Sequence, residues 1–289
     1  MKPIAYISQL GTMYENVDGV PIDTALQRLL RHKSMVDVVP YTVLSNRSAV
    51  SRYRYVFLGF NIWRMYLEHG YEDVFENLVN TKKLSVPPRL LRLVGDKCKL
   101  HRYYDRASIP TLPTVCLKLK SITQKMLNKL AADETMFVKT NPGIHTINTR
   151  VHSKGNSAAN YIKVLKEKDY YGVIVQPYVH DFATEANPEI RTIWVGHKFS
   201  HSVHTVGSGT VIKETKRLSK ELRALSLDII RKIERDFKFQ MVYCRLDFGK
   251  HNGKFFLNEM ELFPGVFPEV NPKVVDSIAH RIREITKQL

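Results

Sequence analysis

The chain has 289 residues, 44% of them hydrophobic, enough for a core in one large domain or two to three small ones. No run approaches the roughly 18 apolar residues of a membrane span, and the apolar stretch opening at Met1 is too short for a signal peptide, so a soluble cytoplasmic protein with no membrane partner is expected. The net charge is +16, and residues 97–180 alone hold +9 of it, which suits an anionic partner. There is no long Lys/Arg block, RNP-type aromatic motif or zinc-finger spacing, so nucleic acid is compatible with the charge but not favoured. Cys98, Cys116 and Cys244 are odd in number and lack CxxC spacing, which argues against a disulfide framework or zinc knuckle and for small core residues.

In chain order, Ile4 to Ser8 reads as an apolar strand, and a loop through Asn16, Asp18, Gly19 and Pro21 leads to a helix over Asp23 to His32. Val36 to Val39 and Tyr55 to Leu58 are further buried strands, an open α/β pattern with a parallel sheet. Pro87 and Pro88 interrupt the chain and place a boundary before Gly95, giving a first unit of 1–95. Asp96 is the N-cap of a helix reaching about Ala107, with Lys97 in its first turn, and Ile109 to Thr114 is extended because residues before proline leave the α region. Met136 to Lys139 and Val173 to Val179 are strands flanking a helix over Asn156 to Lys168, and they close a second unit of 96–180. The third, 181–289, has a strand pair at Ile190 to Val195 and Phe199 to Val206 turning at Gly196, then helical spacing of apolar residues from Lys213 to Phe237.

The chemistry concentrates from Arg245 to Gly265. With a period of two, Val242, Cys244, Leu246 and Phe248 form one face of a strand and leave Arg245 and Asp247 on the other; in the next run Glu259 and Glu261 share a face. Carboxylates grouped this way suit Mg²⁺, which completes its shell with phosphate oxygens and water. Convergence has a condition: a two-residue Asn252-Gly253 turn pairs Asp247 with Asn258 and turns Glu259 away. A three- or five-residue loop, or a bulge, restores it.

Arg245-x-Asp247 on one strand, then Glu259-x-Glu261 and Phe263-Pro264-Gly265 on the next, resembles the C-terminal signature of the ATP-grasp superfamily, of the D-alanyl-D-alanine ligase and glutathione synthetase-like carboxylate-amine ligase type. The resemblance runs from about residue 95 to 270. It implies an ATP-grasp architecture, α/β with α+β character in the C-terminal half, behind a Rossmann-like N-terminal domain. It implies Lys97 and Lys139 as phosphate-binding lysines, Gln176, Tyr178 and Val179 as the hinge reading the adenine edge, and Glu189 as the acid on the ribose hydroxyls. Asp247, Glu259 and Glu261 are then ligands of two Mg²⁺ ions, with Mn²⁺ an alternative, and Arg191 and Arg245 act on the acceptor carboxylate and the transferring phosphate. Glu261 stands where the family has asparagine, and the loop from Thr140 to Thr146 has a single glycine where the family's phosphate loop is glycine-rich.

The activity implied is ATP-dependent joining of a carboxylate to an amine, an amino acid or peptide, through an acyl phosphate. One alternative is a kinase of the same fold acting on a polyphosphorylated small molecule, in line with Val175 to His180 and the charge of 97–180. A second is a non-catalytic protein binding an anionic partner. His197, His201 and His204 lack a Glu or Cys to complete a zinc set and are not expected to hold metal.

Overall fold

The computed structural model describes residues 4–8, 16–17, 20–31, 36–40, 43, 46–59, 84–131, 136–141, 150–152, 155–167, 172–207, 209–262 and 264–289. Near the N-terminus, β1 (Ile4–Ser8) is followed by the small hairpin β2 (Asn16–Val17) and β3 (Val20–Pro21), helix α1 (Ile22–Arg31), β4 (Val36–Pro40), the short α2 (Arg47–Ser51) and β5 (Tyr55–Leu58). β1 pairs in parallel with both β4 and β5. Ile4 to Ile7 are buried without alternation, the mark of a strand covered on both faces.

Pro87 and Pro88 do not simply interrupt the chain. Pro88 opens helix α3 (Pro88–Val94), because proline costs nothing at the first helical position, where its missing N–H would have no intrahelical partner. Helix α4 (Lys97–Arg106) starts as the sequence predicts: the Asp96 carboxylate accepts from the Lys99 N–H at 3.1 Å.

The middle of the chain forms β6 (Val115–Lys118), α5 (Gln124–Ala131), β7 (Met136–Asn141), β8 (Arg150–His152), α6 (Gly155–Glu167) and β9 (Gly172–Pro177). Its strands make an antiparallel sheet in the order β6-β9-β7-β8. It has its own apolar cluster, in which Val138, Val173 and Val175 of the sheet meet Ile162 and Leu165 of α6.

The last segment comprises β10 (Glu189–Val195), β11 (Lys198–Val206), β12 (Thr210–Thr215), α7 (Lys220–Phe237), β13 (Tyr243–His251), β14 (Lys254–Leu262) and α8 (Lys273–Gln288). The helical reading from Lys213 is corrected: Lys213 belongs to β12, whose Thr-Val-Ile run favours extended chain, and α7 begins only after Ser219, which caps the Leu222 N–H at 3.2 Å. The five strands pair antiparallel in the order β12-β11-β10-β13-β14.

One face of this sheet, through Trp194, Cys244, Leu246 and Phe248, packs into an apolar cluster shared with α7, α8 and the N-terminal sheet. Each such fully buried side chain contributes about 1.5–3 kcal/mol. Cys244 is buried as expected, whereas Cys98 and Cys116 are free, half-buried thiols on α4 and β6, and Cys98 donates to the Val173 carbonyl at 4.0 Å. Among the described residues no helix is long and apolar enough to cross a membrane.

Candidate functional site

The other face of the C-terminal sheet is polar, and the β13–β14 hairpin sets its chemistry. Its turn is the two-residue Asn252-Gly253, both with positive φ (49° and 78°), as a tight hairpin turn requires. Pairing then runs in step from His251↔Lys254 to Phe248↔Leu257, and next pairs Asp247 with Glu259, leaving Asn258 unpaired as a β-bulge. Arg245 therefore stands opposite Glu261. The condition stated from the sequence is met by the bulge and not by a longer turn. Gly249 allows the close packing beside it, since a Cβ there would lie 2.3 Å from the Phe256 ring and 2.7 Å from that of Phe182.

Asp247, Glu259 and Glu261 each offer a carboxylate oxygen within 4.8 Å of the others. Arg245 lies among them, donating from Nε and Nη2 to both oxygens of Asp247 at 2.8 and 2.9 Å and from Nη2 to Glu261 at 2.7 Å. Asp247 is 1% and Arg245 7% exposed, so this fork is shielded from water. Burial pushes the Asp247 carboxyl up against the pull of Arg245, helped by Glu189 and Glu261. An all-oxygen cluster of a buried Asp247 and two half-buried glutamates fits a hard divalent cation.

The two predicted lysines arrive from the central segment. Lys97 in the first turn of α4 pairs with Glu259 at 3.1 Å. Burial would raise Glu259, but Lys97 and then Lys139 overcome it and hold the carboxyl down at about 2. Lys139 on β7 is itself pushed down to about 8, first by burial and then by Lys97, against Glu259, Glu189 and Asp247. Glu189 and Arg191 on β10 adjoin the cluster: Arg191 Nε lies 2.8 Å from Glu189 and 4.0 Å from Asp247.

Glu189 is buried and held from three sides, by Arg191, by Thr205 Oγ1 at 3.4 Å and by Asn258 Nδ2 at 2.6 Å. Asn258 is a site residue that the sequence reading did not single out. The two-residue Asn-Gly turn alone would pair Asn258 with Asp247, and only the bulge leaves it unpaired and able to hold Glu189.

The segment expected to read the adenine edge starts at the end of β9. Gln176 is buried and donates from Nε2 to Thr114 Oγ1 at 2.9 Å, and Thr114 in turn lies 3.2 Å from His101 Nδ1. His101 is held neutral, its pKa lowered to about 4 by burial and then by Lys139 and Lys97, which places this chain of groups beside the lysines. Tyr178 meets His180 edge-on, and the buried Val179 accepts from the Phe182 N–H through its carbonyl. Thr114 and His101 were also missed. The pairing Val115↔Val175 carries the signal for Thr114, since it puts Thr114 across from Gln176.

His197 lies in the β10–β11 turn and pairs with Glu234, His201 is buried beside Ser200, and neither joins the carboxylate cluster. The loop beyond Asn141, to Thr146, and Phe263 lie outside the described residues.

No protein-family model matches the chain, and no curated protein matches it in sequence. Solved structures do match over nearly its whole length. The D-cycloserine synthetase DcsG superposes with a TM-score of 0.75 at 17% identity, covering 97% of this chain and 98% of its own. A D-alanine–D-alanine ligase from Bacillus anthracis complexed with ATP gives 0.68 at 14%, covering 99% and 98%. The ATP-grasp ligase PsnB, complexed with precursor peptide PsnA2 and AMPPNP, gives 0.62 at 11%, covering 98% and 99%. At these identities the likeness is one of architecture, and together with the sheet orders and the polar face it shows that this chain has the ATP-grasp fold.

Proposed function

We propose that the chain is an ATP-dependent ligase that joins a carboxylate to an amine, on an amino acid or peptide, through an acyl phosphate. The observation that carries the reading is the meeting of Lys97, Arg245, Asp247, Glu259 and Glu261 in one cluster with Lys139 beside it. Residues 1–95, 96–180 and 181–289 are read as three lobes, with the site where the last two meet. The neighbours in fold include a ligase complexed with ATP and one complexed with a peptide and AMPPNP, which supports nucleotide and small-molecule or peptide substrates.

Charge balance agrees with a nucleotide that brings its own divalent ions. Around the site Lys97, Lys139, Arg191 and Arg245 face Glu189, Asp247, Glu259 and Glu261, four cations against four carboxylates. ATP adds about four negative charges, which two divalent ions cancel. Asp247, Glu259 and Glu261 would hold such ions, which supply charge neutralisation at phosphate oxygens.

Lys97 and Lys139 bind phosphate oxygens in this reading, and Gln176, Tyr178, Val179 and Glu189 hold the nucleoside. Arg245 is fixed by its fork to Asp247 and keeps its remaining donor capacity for charge developing on the transferred group. Arg191 orients the acceptor carboxylate. The work is positioning and electrostatic stabilisation, without a covalent enzyme intermediate.

Two measurements test the proposal. Mg-ATP raises the melting temperature of the wild type but not of Asp247→Asn or Glu259→Gln; equal shifts in all three, or none, dismiss the metal assignment. Product analysis should show free phosphate released only when a carboxylate and an amine are both present. Phosphate retained on an acceptor would establish a kinase instead.

A further inference from the structure

Gln176 has a two-sided carboxamide. Nε2 donates and Oε1 accepts, so an unrestrained amide can offer either atom to a purine edge. Its surroundings remove that freedom.

The Thr114 hydroxyl has a single proton, which it donates to the Leu112 carbonyl at 2.8 Å. What remains on Thr114 Oγ1 is lone pairs, and these face Gln176 at 2.9 Å and His101 Nδ1 at 3.2 Å. His101 Nδ1 lies 3.3 Å from Thr111 Oγ1 as well, so the ring is held from two sides. With the hydroxyl proton committed, the imidazole Nδ1 donates to Thr114, and Gln176 can meet Thr114 only through Nε2. Turning the amide over would press Oε1 against oxygen lone pairs in a place where Gln176 is 5% exposed and water cannot compensate.

We infer that Thr114 locks Gln176 as a hydrogen-bond acceptor toward the base, so that the site selects purines bearing a 6-amino group and rejects those bearing a 6-keto group. The inference rests on the nucleotide reading above and deepens it: Thr114 is a positioning residue for base choice. A carboxylate at 176 would accept by nature but would bury a charge, whereas the amide is neutral and needs the lock.

The test compares binding of Mg-ATP, Mg-purine riboside triphosphate, which lacks the 6-amino group, and Mg-inosine triphosphate, by calorimetry on the full chain. Wild type binds ATP about tenfold tighter than the deamino analogue, the value of one buried hydrogen bond, and inosine triphosphate more weakly still. Thr114→Val brings the ATP-to-analogue ratio to about twofold, by weakening ATP and leaving the analogue within about twofold. Thr114→Ser, which keeps the hydroxyl, retains the wild-type ratio. The ratio is taken on one sample at a time, so partial unfolding of a variant does not alter it. Equal weakening of both nucleotides by Thr114→Val, or a wild type that binds them alike, overturns this inference alone. A wild type that binds none of the three overturns the nucleotide reading and this inference with it.

Discussion

At one end of the site, Lys97, Arg245, Asp247, Glu259 and Glu261 are joined by ion pairs of 2.7 to 3.1 Å; at the other, His101, Thr114 and Gln176 are joined by uncharged hydrogen bonds of 2.9 and 3.2 Å. Each group has a buried centre, Arg245 and Asp247 at one end and His101 and Gln176 at the other, but they solve different problems. A buried ion network balances charge and can exchange partners, because a cation arriving at Asp247 replaces part of what Arg245 supplies. The neutral chain has one solution, set by how many protons the Thr114 hydroxyl owns. The carboxylate end is therefore adaptable in charge and the amide end is fixed in direction.

The largest test of that contrast is Arg245→Ala. It strands Asp247 and Glu261 without their common partner and should cost about 3–5 kcal/mol in urea-induced unfolding, whereas Thr114→Val, at the neutral end, should cost about 1 kcal/mol. Comparable losses would erase the distinction.

Acid should find the neutral end next. His101 titrates near 4 in the folded chain against an ordinary 6.5, so between these values the unfolded chain binds more protons and stability falls as pH drops from 6.5 to 4. His201, also lowered to about 4 by burial, shares the window. His101→Gln should remove part of the slope, on the order of 1–3 kcal/mol across it, in melts taken at each pH.

An effect of similar size appears in alkali, at the charged end. Lys139 titrates near 8 when folded and near 10.5 when not. Above pH 8 the unfolded chain binds more protons, so this lysine makes the ligand-free protein more stable as pH rises, while affinity for a polyanionic nucleotide falls by up to about tenfold per unit. Lys139→Arg should flatten both trends. Calorimetry and melting on the same samples read the two opposite signs.

Much of this arrangement is legible in the sequence where local physics decides it. Asp96 caps α4 and so places Lys97, and the alternation from Val242 to Phe248 puts Arg245 and Asp247 on one face. The parallel N-terminal sheet follows from the continuous apolar runs of β1 and β5, with the shorter apolar run of β4 beside them. The start of α7 was misjudged because Leu218 fits the helical period although the Ser219 cap lies after it. Asn258, Thr114 and His101 were missed for a different reason. Their roles depend on what lies across a strand pair or on a neighbouring element, and no spacing within one segment reveals that.

The bulge at Asn258 has a consequence for insertions and deletions. Removing Asn258 would leave Leu257 opposite Phe248 and Glu259 opposite Asp247, a regular ladder in which every later residue keeps its side; what would go is the amide that holds Glu189. Removing Met260 instead would bring Glu261 to the place opposite Leu246, on the core face, and detach it from Arg245. Asn258 thus occupies the place of a one-residue insertion that the hairpin absorbs without losing phase, and β14 tolerates a change of length there while a few ångströms further along it does not.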